Sequence, residues 1–417
     1  MVAEGYKETE IGVIPVEWEV NRLEDISELT SSKRVHLADY VEDGIPFYRG
    51  KEITLLKKNE AIDDLLYISE AQYNKIKNQF GIPKKNDILI TAVGTLANTY
   101  RIPNDNPFYF KDGNLIWLKD ITQNSIYIDY ILGFHKKQVL DSAIGSSQKA
   151  LTIKELKKIK IPLPPLKEQE KIADILSTAD EKIDAIASEI EMCETLKKGL
   201  LQKLLSEGIG HSEFKDSELG KIPESWEVVN VENITDTHKQ GYYTKDEYTG
   251  KGIYLIRITD LNNPKIDYSN MPMLPISDND YKSFKVSKGD FLFARSGAIG
   301  RYGIVYEDYN AAFASYLIRF TFHQNKVINE YFGYFYETKK AINQLLSITQ
   351  GSSNININAN NIKSIKLALP PLEEQKQIAN ILSTADEKLE VLRAKKEKYE
   401  TLKKGLLQKL LSGEVRV

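Results

Sequence analysis

Cysteine occurs once in the 417 residues, at Cys193. A single thiol excludes a disulfide framework and a cysteine-rich zinc site. Its place among apolar residues at helical spacing marks it as a small buried side chain rather than a nucleophile. Histidine is scarce as well, and His36, His135, His211, His238 and His323 show no metal-ligand spacing, so no metal site is expected. No run of eighteen apolar residues occurs, and the N-terminus carries no apolar signal segment. A soluble cytoplasmic protein without a membrane partner is therefore expected. Neither a GxGxxG turn at the head of a βαβ unit nor a GxxxxGK[ST] phosphate loop is present, so we expect no catalytic residues and no cofactor held by this chain. Asp25, Asp87 and Asp290 read as turn residues rather than nuclease carboxylates. Charge of one sign is missing too: the formal net charge is −3. Any nucleic-acid binding would have to rest on local patches.

What is present is a repeat. PLPPLKEQEKIADILSTADEKIDAI from Pro162 returns as ALPPLEEQKQIANILSTADEKLEVL from Ala368. LKKGLLQKLLS occurs at Leu196–Ser206 and again at Leu402–Ser412. Upstream, IGVIPVEWEVNRLEDI (11–26) matches LGKIPESWEVVNVENI (219–234), with Trp18 and Trp226 as packing anchors. A hydrophobic content of 41% supports real cores, and the length suits more than one domain. The chain is thus a tandem duplication of one unit, a globule followed by a long helix.

The helical prediction rests on periodicity. Ile172, Leu176, Ala179, Ile183, Ile186, Ile190, Cys193, Leu200 and Leu204 fall mostly three and four apart, as do Ile378, Leu382, Ala385, Leu389, Leu392, Tyr399, Leu406 and Leu410. This is a coiled-coil seam, interrupted in the second copy by Lys396 where the first has Ile190. The paired prolines end the preceding strand and admit a first helical turn, while Gly208 and Gly413 supply stops. Residues 163–207 carry ten acidic and six basic side chains, residues 369–417 eight and ten, which favours pairing of the two copies. The expected fold class is α+β: mixed α/β globules at 1–162 and 208–368, and helices at 163–207 and 369–417 that pair as an antiparallel coiled coil.

Between the repeated frames the globules share rhythm but little identity, which suggests one kind of task on two different targets. Polar and basic loops interleaved with aromatics are the candidate nucleic-acid contacts. In the first globule these are Lys33, Arg34, Tyr48, Arg49, Lys51, Thr95, Asn98, Arg101, Ser146, Ser147, Gln148 and Lys149. In the second they are Tyr242, Tyr243, Lys245, Arg257, Arg295, Ser296, Arg301, Tyr302, Ser352, Ser353 and Asn354. Lys and Arg neutralise phosphates, Arg, Asn and Gln pair bidentately with base edges, and small turns bring backbone N–H groups to phosphate oxygens.

Leu163-Pro164-Pro165-Leu166-Lys167-Glu168-Gln169 with Ile172-Ala173, and Leu369-Pro370-Pro371-Leu372-Glu373-Glu374-Gln375 with Ile378-Ala379, closely resemble the specificity subunit of type I restriction-modification systems. The likeness spans nearly the whole chain. It implies that each globule is a target recognition domain for one half of a split double-stranded DNA sequence. It further implies that the helices form a spacer and dock two modification subunits, which carry S-adenosylmethionine and methylate adenine. Separate restriction motor-nuclease subunits cut. The chain itself would be non-catalytic. An alternative of another class, a coiled-coil scaffold or adaptor with no sequence-specific DNA reading, stays open on the residues alone, as does self-association of the isolated chain.

Overall fold

Strand Lys160–Leu163 stops where Pro164 and Pro165 remove two backbone donors, and the amides of Glu168 and Gln169 turn back onto the Pro165 carbonyl at 2.8 and 3.1 Å. From this turn springs α1 (Leu166–Leu204), and the same sequence device starts α2 (Leu372–Leu411). The computed structural model describes residues 3–58, 60–145, 149–244, 248–295, 299–348 and 357–417. The chain forms two units, Met1–Ala187 with Ala394–Val417, and Ser188–Arg393. Each unit takes in one globule and a stretch of both helices.

In the first unit the opening motif and the end of the globule are stitched together, Glu19–Arg22 pairing antiparallel with Lys160–Leu163. Within that closure lies an antiparallel sheet of β1 (Glu28–Thr30), β2 (Ile88–Thr91), β3 (Thr99–Arg101) and β4 (Leu115–Lys119), in the order β1-β4-β2-β3. β2 reads Ile-Leu-Ile-Thr without alternation because both its faces are buried. A second sheet holds Tyr109–Phe110, Ile45–Tyr48, Leu66–Ile68 and Tyr40–Val41 in that order. The main core gathers Trp18, Leu23, Ile90, Tyr127, Ile131 and Ile161, and it also takes Ile172 and Leu176 from α1 and Leu410 and Leu411 from α2. Further along α1, Asp180 meets Lys403, which comes earlier on α2. Numbers rise on one helix as they fall on the other, so the two run antiparallel.

The second unit repeats the plan with different filling. Glu227–Asn230 pairs with Lys366–Leu369, and the four-stranded sheet of β5 (Thr235–Gln240), β6 (Phe291–Ala294), β7 (Tyr302–Ile304) and β8 (Leu317–Phe322) runs β5-β8-β6-β7, the order seen in the first. A smaller sheet orders Met273–Leu274, Ile253–Ile256 and Ala311–Phe313. Where the first core is mainly aliphatic, this one is aromatic: Phe291, Phe293, Phe320, Phe322, Phe332, Tyr302 and Tyr336 are all buried in one cluster. Leu200 and Leu204 of α1 join that core beside Ile378 and Leu382 of α2, and Glu189 pairs with Lys388 at 3.2 Å, again antiparallel.

Along the helices Ala179, Ile186, Cys193, Leu389 and Leu392 are buried, while Ile183, Ile190, Ala385, Tyr399 and Leu406 are half-buried. Lys396 does not break α2; its ammonium turns to Glu400 one turn on, at 3.8 Å. Ile172, Leu176, Leu410, Ile378, Leu382 and Leu204 sit in the globule cores as well, where residues of both helices meet, because each helix end is packed into a globule as well as against the other helix.

Candidate nucleic-acid interface

The repeated Glu-Gln pair is structural, and its partners define what remains free for a ligand. Glu168, 5% exposed, accepts from the Trp18 indole N–H at 3.2 Å and from the Arg416 guanidinium at 2.6 and 2.8 Å. The Glu168 bonds hold the Arg416 proton more firmly than in water. Glu374 accepts in the same way from Trp226 at 3.0 Å, with His211 at 2.8 Å and the Ile209 amide at 3.0 Å in place of the arginine. Gln169 accepts from the Asn124 amide at 3.1 Å and donates to the Pro164 carbonyl at 2.8 Å; Gln375 accepts from the Ile328 amide at 2.9 Å and donates to Pro370 at 2.8 Å. The buried amide side chains tie each helix start to its globule.

A second repeated arrangement lies further along. Asp180 of α1 accepts from Tyr130 at 2.6 Å and pairs with Lys403 of α2, whose ammonium lies over the Tyr130 ring at 5.6 Å. Asp386 of α2 accepts from Tyr334 at 2.9 Å and pairs with Lys197 of α1 at 2.6 Å, again with the ammonium 5.6 Å from the tyrosine ring. Burial first, and then the aspartate, push both phenols well above their usual range.

The sequence-predicted contact residues divide by whether the fold has already used them. Arg49 makes a two-pronged pair with Glu52, whose carboxylate is 1% exposed, and Arg257 does the same with Asp260, 6% exposed. Burial works against the Glu52 charge, yet the Arg49 bonds hold its carboxyl below the usual carboxylate range. These arginines stand at equivalent places because they brace the turn after a strand in both globules, so they are structural first. Tyr302 is a correction: it is 1% exposed, stacked on Phe291 at 4.8 Å and bonded to Glu337 at 3.0 Å, and it belongs to the core. It lies on β7, whose three residues are all buried.

Others are half committed. Arg34 pairs with Asp112 at 3.0 Å, Lys33 lies over Phe80 at 4.7 Å, and Tyr48 packs on Phe108 at 5.0 Å. Asn98 accepts from Lys136 at 2.8 Å and donates to Thr54, while Arg101 bonds Asn86 at 3.0 Å. Tyr242 packs on Phe284 at 5.3 Å, and Arg301 donates to the Ile258 carbonyl at 3.3 Å. Lys51, Thr95, Lys149 and Tyr243 are exposed. Ser146, Ser147, Gln148, Lys245, Ser296, Ser352, Ser353 and Asn354 lie outside the described residues.

Clefts indent both units, three of them lined as follows. One of about 990 Å³ in the first unit mixes Lys57, Lys58, Arg101 and Lys404 with Asp129, Glu181 and Asp184. One of about 670 Å³ in the second mixes Lys197, Lys198 and Arg393 with Glu194, Glu337 and Asp386. The third, about 480 Å³ in the second globule, is lined by His238, Lys239, Gln240, Arg295, Asn358 and Asn360, with Ile318 and Ala359, and no carboxylate among them. Only Arg295 of these was singled out from sequence. His238, Lys239 and Gln240 lie on β5, Ile318 on β8, and Asn358, Ala359 and Asn360 at the start of a short helix, segments brought together by the sheet, and no local motif marks them. Burial, and then the Lys363 charge, keep the His238 imidazole more readily neutral than in water. Among the described residues no three His, Cys, Asp or Glu side chains are grouped to hold a metal ion, and no helix is long and apolar enough to cross a membrane.

The chain matches the family of the type I restriction modification DNA specificity domain twice, over residues 15–194 and 223–401. It is 30% identical to the type I restriction enzyme MjaVIII specificity subunit of Methanocaldococcus jannaschii, over 99% of this chain and 96% of that protein. With the type I restriction enzyme EcoKI specificity subunit of Escherichia coli it shares 23% identity over 88% of this chain and 82% of that one. The crystal structure of the S subunit of a type I restriction-modification system from M. genitalium has the same fold, with a TM-score of 0.60 over 94% of this chain and 96% of that chain at 16% identity. Two copies of one domain, each with its Trp-Glu lock and its stretch of paired helix, thus coincide with the two family matches, and the chain belongs to the type I restriction-modification DNA specificity family.

Proposed function

We propose that this chain is the non-catalytic subunit that gives a type I restriction-modification complex its DNA sequence. Each globule reads one half of a bipartite double-stranded target in the cytoplasm. The helix pair sets the interval between the halves and docks two modification subunits. Those subunits supply S-adenosylmethionine and methylate adenine, and separate motor-nuclease subunits cut.

The observation that carries this is the contrast between frame and surface. Both globules have the same strand order, the same Trp–Glu lock and the same Tyr–Asp–Lys arrangement, yet the globule residues lining the clefts beside the two Asp–Lys pairs differ. A duplicated frame with divergent polar surfaces suits one task performed on two different sequences. The net charge of −3 assigns the phosphate-binding part to local basic patches such as Lys239 with Arg295.

The test is a methylation map of the chain co-purified with its modification subunit. One split, asymmetric sequence is expected, and replacing residues 1–150 by another first globule is expected to change one half of it. If both halves changed together, the division of labour would be wrong. Methyl transfer or cleavage by the purified chain alone would remove the non-catalytic assignment.

A further inference from the structure

The cleft of the second globule that has no carboxylate among its described lining residues sits on a backbone arrangement that recurs in the first globule, and the two places differ in the residue types that discriminate bases. Both are built around one backbone node. In the first globule Ala92, just past β2, donates its N–H to the Asn114 carbonyl at 2.8 Å and accepts from the Leu151 amide at 2.9 Å. In the second, Arg295, just past β6, donates to the Tyr316 carbonyl at 2.9 Å and accepts from the Ile357 amide at 2.8 Å. Each node is followed by a short helix, capped by Thr152 in one and Asn358 in the other. Strand register completes the match. Thr30 faces Trp117 across the first sheet where Lys239 faces Arg319 across the second, so Ser31 corresponds to Gln240.

At these matched places the chemistry changes. Lys239, Gln240, Arg295, Tyr316 and Asn360 stand where the first globule has Thr30, Ser31, Ala92, Asn114 and Lys154. Arg295 brings a fork suited to two acceptors, and Gln240 and Asn360 bring amides that both donate and accept, the side chains that pair with guanine and adenine edges. Gln240 and Asn360 are exposed, and no hydrogen bond ties either side chain to another described residue. The Arg295 Nε is buried and has no acceptor among the described residues. Tyr316, 62% exposed, presents a ring next to the node. The two clefts beside the Asp–Lys pairs each carry several carboxylates, which repel a polyanion.

We propose that the cleft between β5, Arg295 and the turn at Asn358–Asn360 is where the second globule reads base edges of duplex DNA, and that the changed residues at the same node make the first globule read a different sequence. This rests on the DNA-recognition function proposed above and assigns its specificity to named side chains. Gln240, Asn360 and Arg295 read bases, whereas Lys239 contributes charge.

The experiment uses the complex with the modification subunits and a library of DNA duplexes varied through both half-sites. Gln240→Ala, Asn360→Ala and Arg295→Lys are each expected to reduce discrimination about ten- to hundred-fold at one or two base pairs of one half-site, leaving the other half unchanged. Thermal unfolding is expected to stay at the wild-type value for Gln240→Ala and Asn360→Ala, whose side chains are exposed. If the wild-type complex selects a split sequence and the variants select the same one, the cleft does not read bases. An equal loss of affinity for every duplex would likewise overturn base reading, since it marks contacts to phosphate alone. A wild-type complex with no sequence preference would instead overturn the recognition function beneath it.

Discussion

Lys197, on the first long helix, places its ammonium 2.6 Å from the carboxylate of Asp386 on the second. Their side chains are 20% and 31% exposed, so the pair is shielded in part from water and salt. Asp386 also accepts the Tyr334 hydroxyl, which fixes the helix pair to the globule at the same point. Removing one partner leaves the other with weaker company, Lys197 with Glu337 at 3.7 Å and Asp386 with the Tyr334 hydroxyl. The double-mutant cycle of Lys197→Ala and Asp386→Ala, measured by urea unfolding, is expected to give a coupling of about 0.5–3 kcal/mol. The cycle on Lys403 and Asp180 should give the same sign. A coupling indistinguishable from zero in both would mean that the pairs are incidental surface contacts.

Arg416 is a stronger test of the lock at the helix start. Its guanidinium spans Glu168 and Glu17, and Glu168 is nearly inaccessible to water. Arg416→Ala leaves that carboxylate with the Trp18 indole N–H, at an expected cost of about 1–3 kcal/mol. His211→Ala should cost less, because Glu374 keeps both the Trp226 indole and the Ile209 amide. Chemical denaturation followed by tryptophan fluorescence would rank the two. The reverse order would show that the arginine is a surface ornament.

How far the sequence discloses these features depends on the range over which each is encoded. The two helices and their pairing are legible because period and repeat are local properties that recur along the run. The lock is not. Trp18 and Arg416 stand 150 and 248 positions from Glu168, and nothing near the Glu-Gln pair announces them. Arg49 and Arg257 look like ligand contacts in a polar loop, although the acid three residues on, Glu52 or Asp260, is a local sign of an internal brace. Tyr302 misleads for a related reason, since an aromatic beside a glycine and an arginine suggests a loop, and only the sheet order reveals its inward face. The cleft residues on β5 escape because register, and not sequence spacing, puts them beside Asn358 and Arg295. Even a spacing comparison with the first globule is thrown off by one, owing to the irregularity between Thr235 and Thr237.

Acid should weaken the first unit through His135. Its Nε2 is buried with no hydrogen-bond partner among the described residues, and burial lowers its proton affinity in the folded chain. A histidine harder to protonate when folded contributes its stability fully above the unfolded value of about 6.5 and loses it as pH falls through the lower folded value. The melting temperature of wild type relative to that of His135→Leu should therefore fall as the solution is acidified from about pH 7.5 to 5. A difference independent of pH would show that the ring does not titrate in this range.

The helix pair supplies the prediction that bears on the proposed interval between half-sites. Asp180 meets Lys403 and Lys197 meets Asp386, so residues 181–196 of α1 lie in the stretch opposite 387–402 of α2. Deleting one heptad from each of these segments keeps the apolar seam in phase, because seven residues make about two turns, and keeps both ion pairs in register. It shortens the pair by about 10 Å at about 1.5 Å per residue. In duplex DNA that length corresponds to about three base pairs, taking a rise of about 3.4 Å per pair. Methylation mapping of the shortened complex is expected to return the same two half-sites with a shorter gap, whereas deletion from one helix alone breaks the register and lowers stability. The paired deletion also separates the two tasks assigned to the chain. Altered bases with an unchanged gap would mean that the globules sense the helix length and the helices do not set the interval.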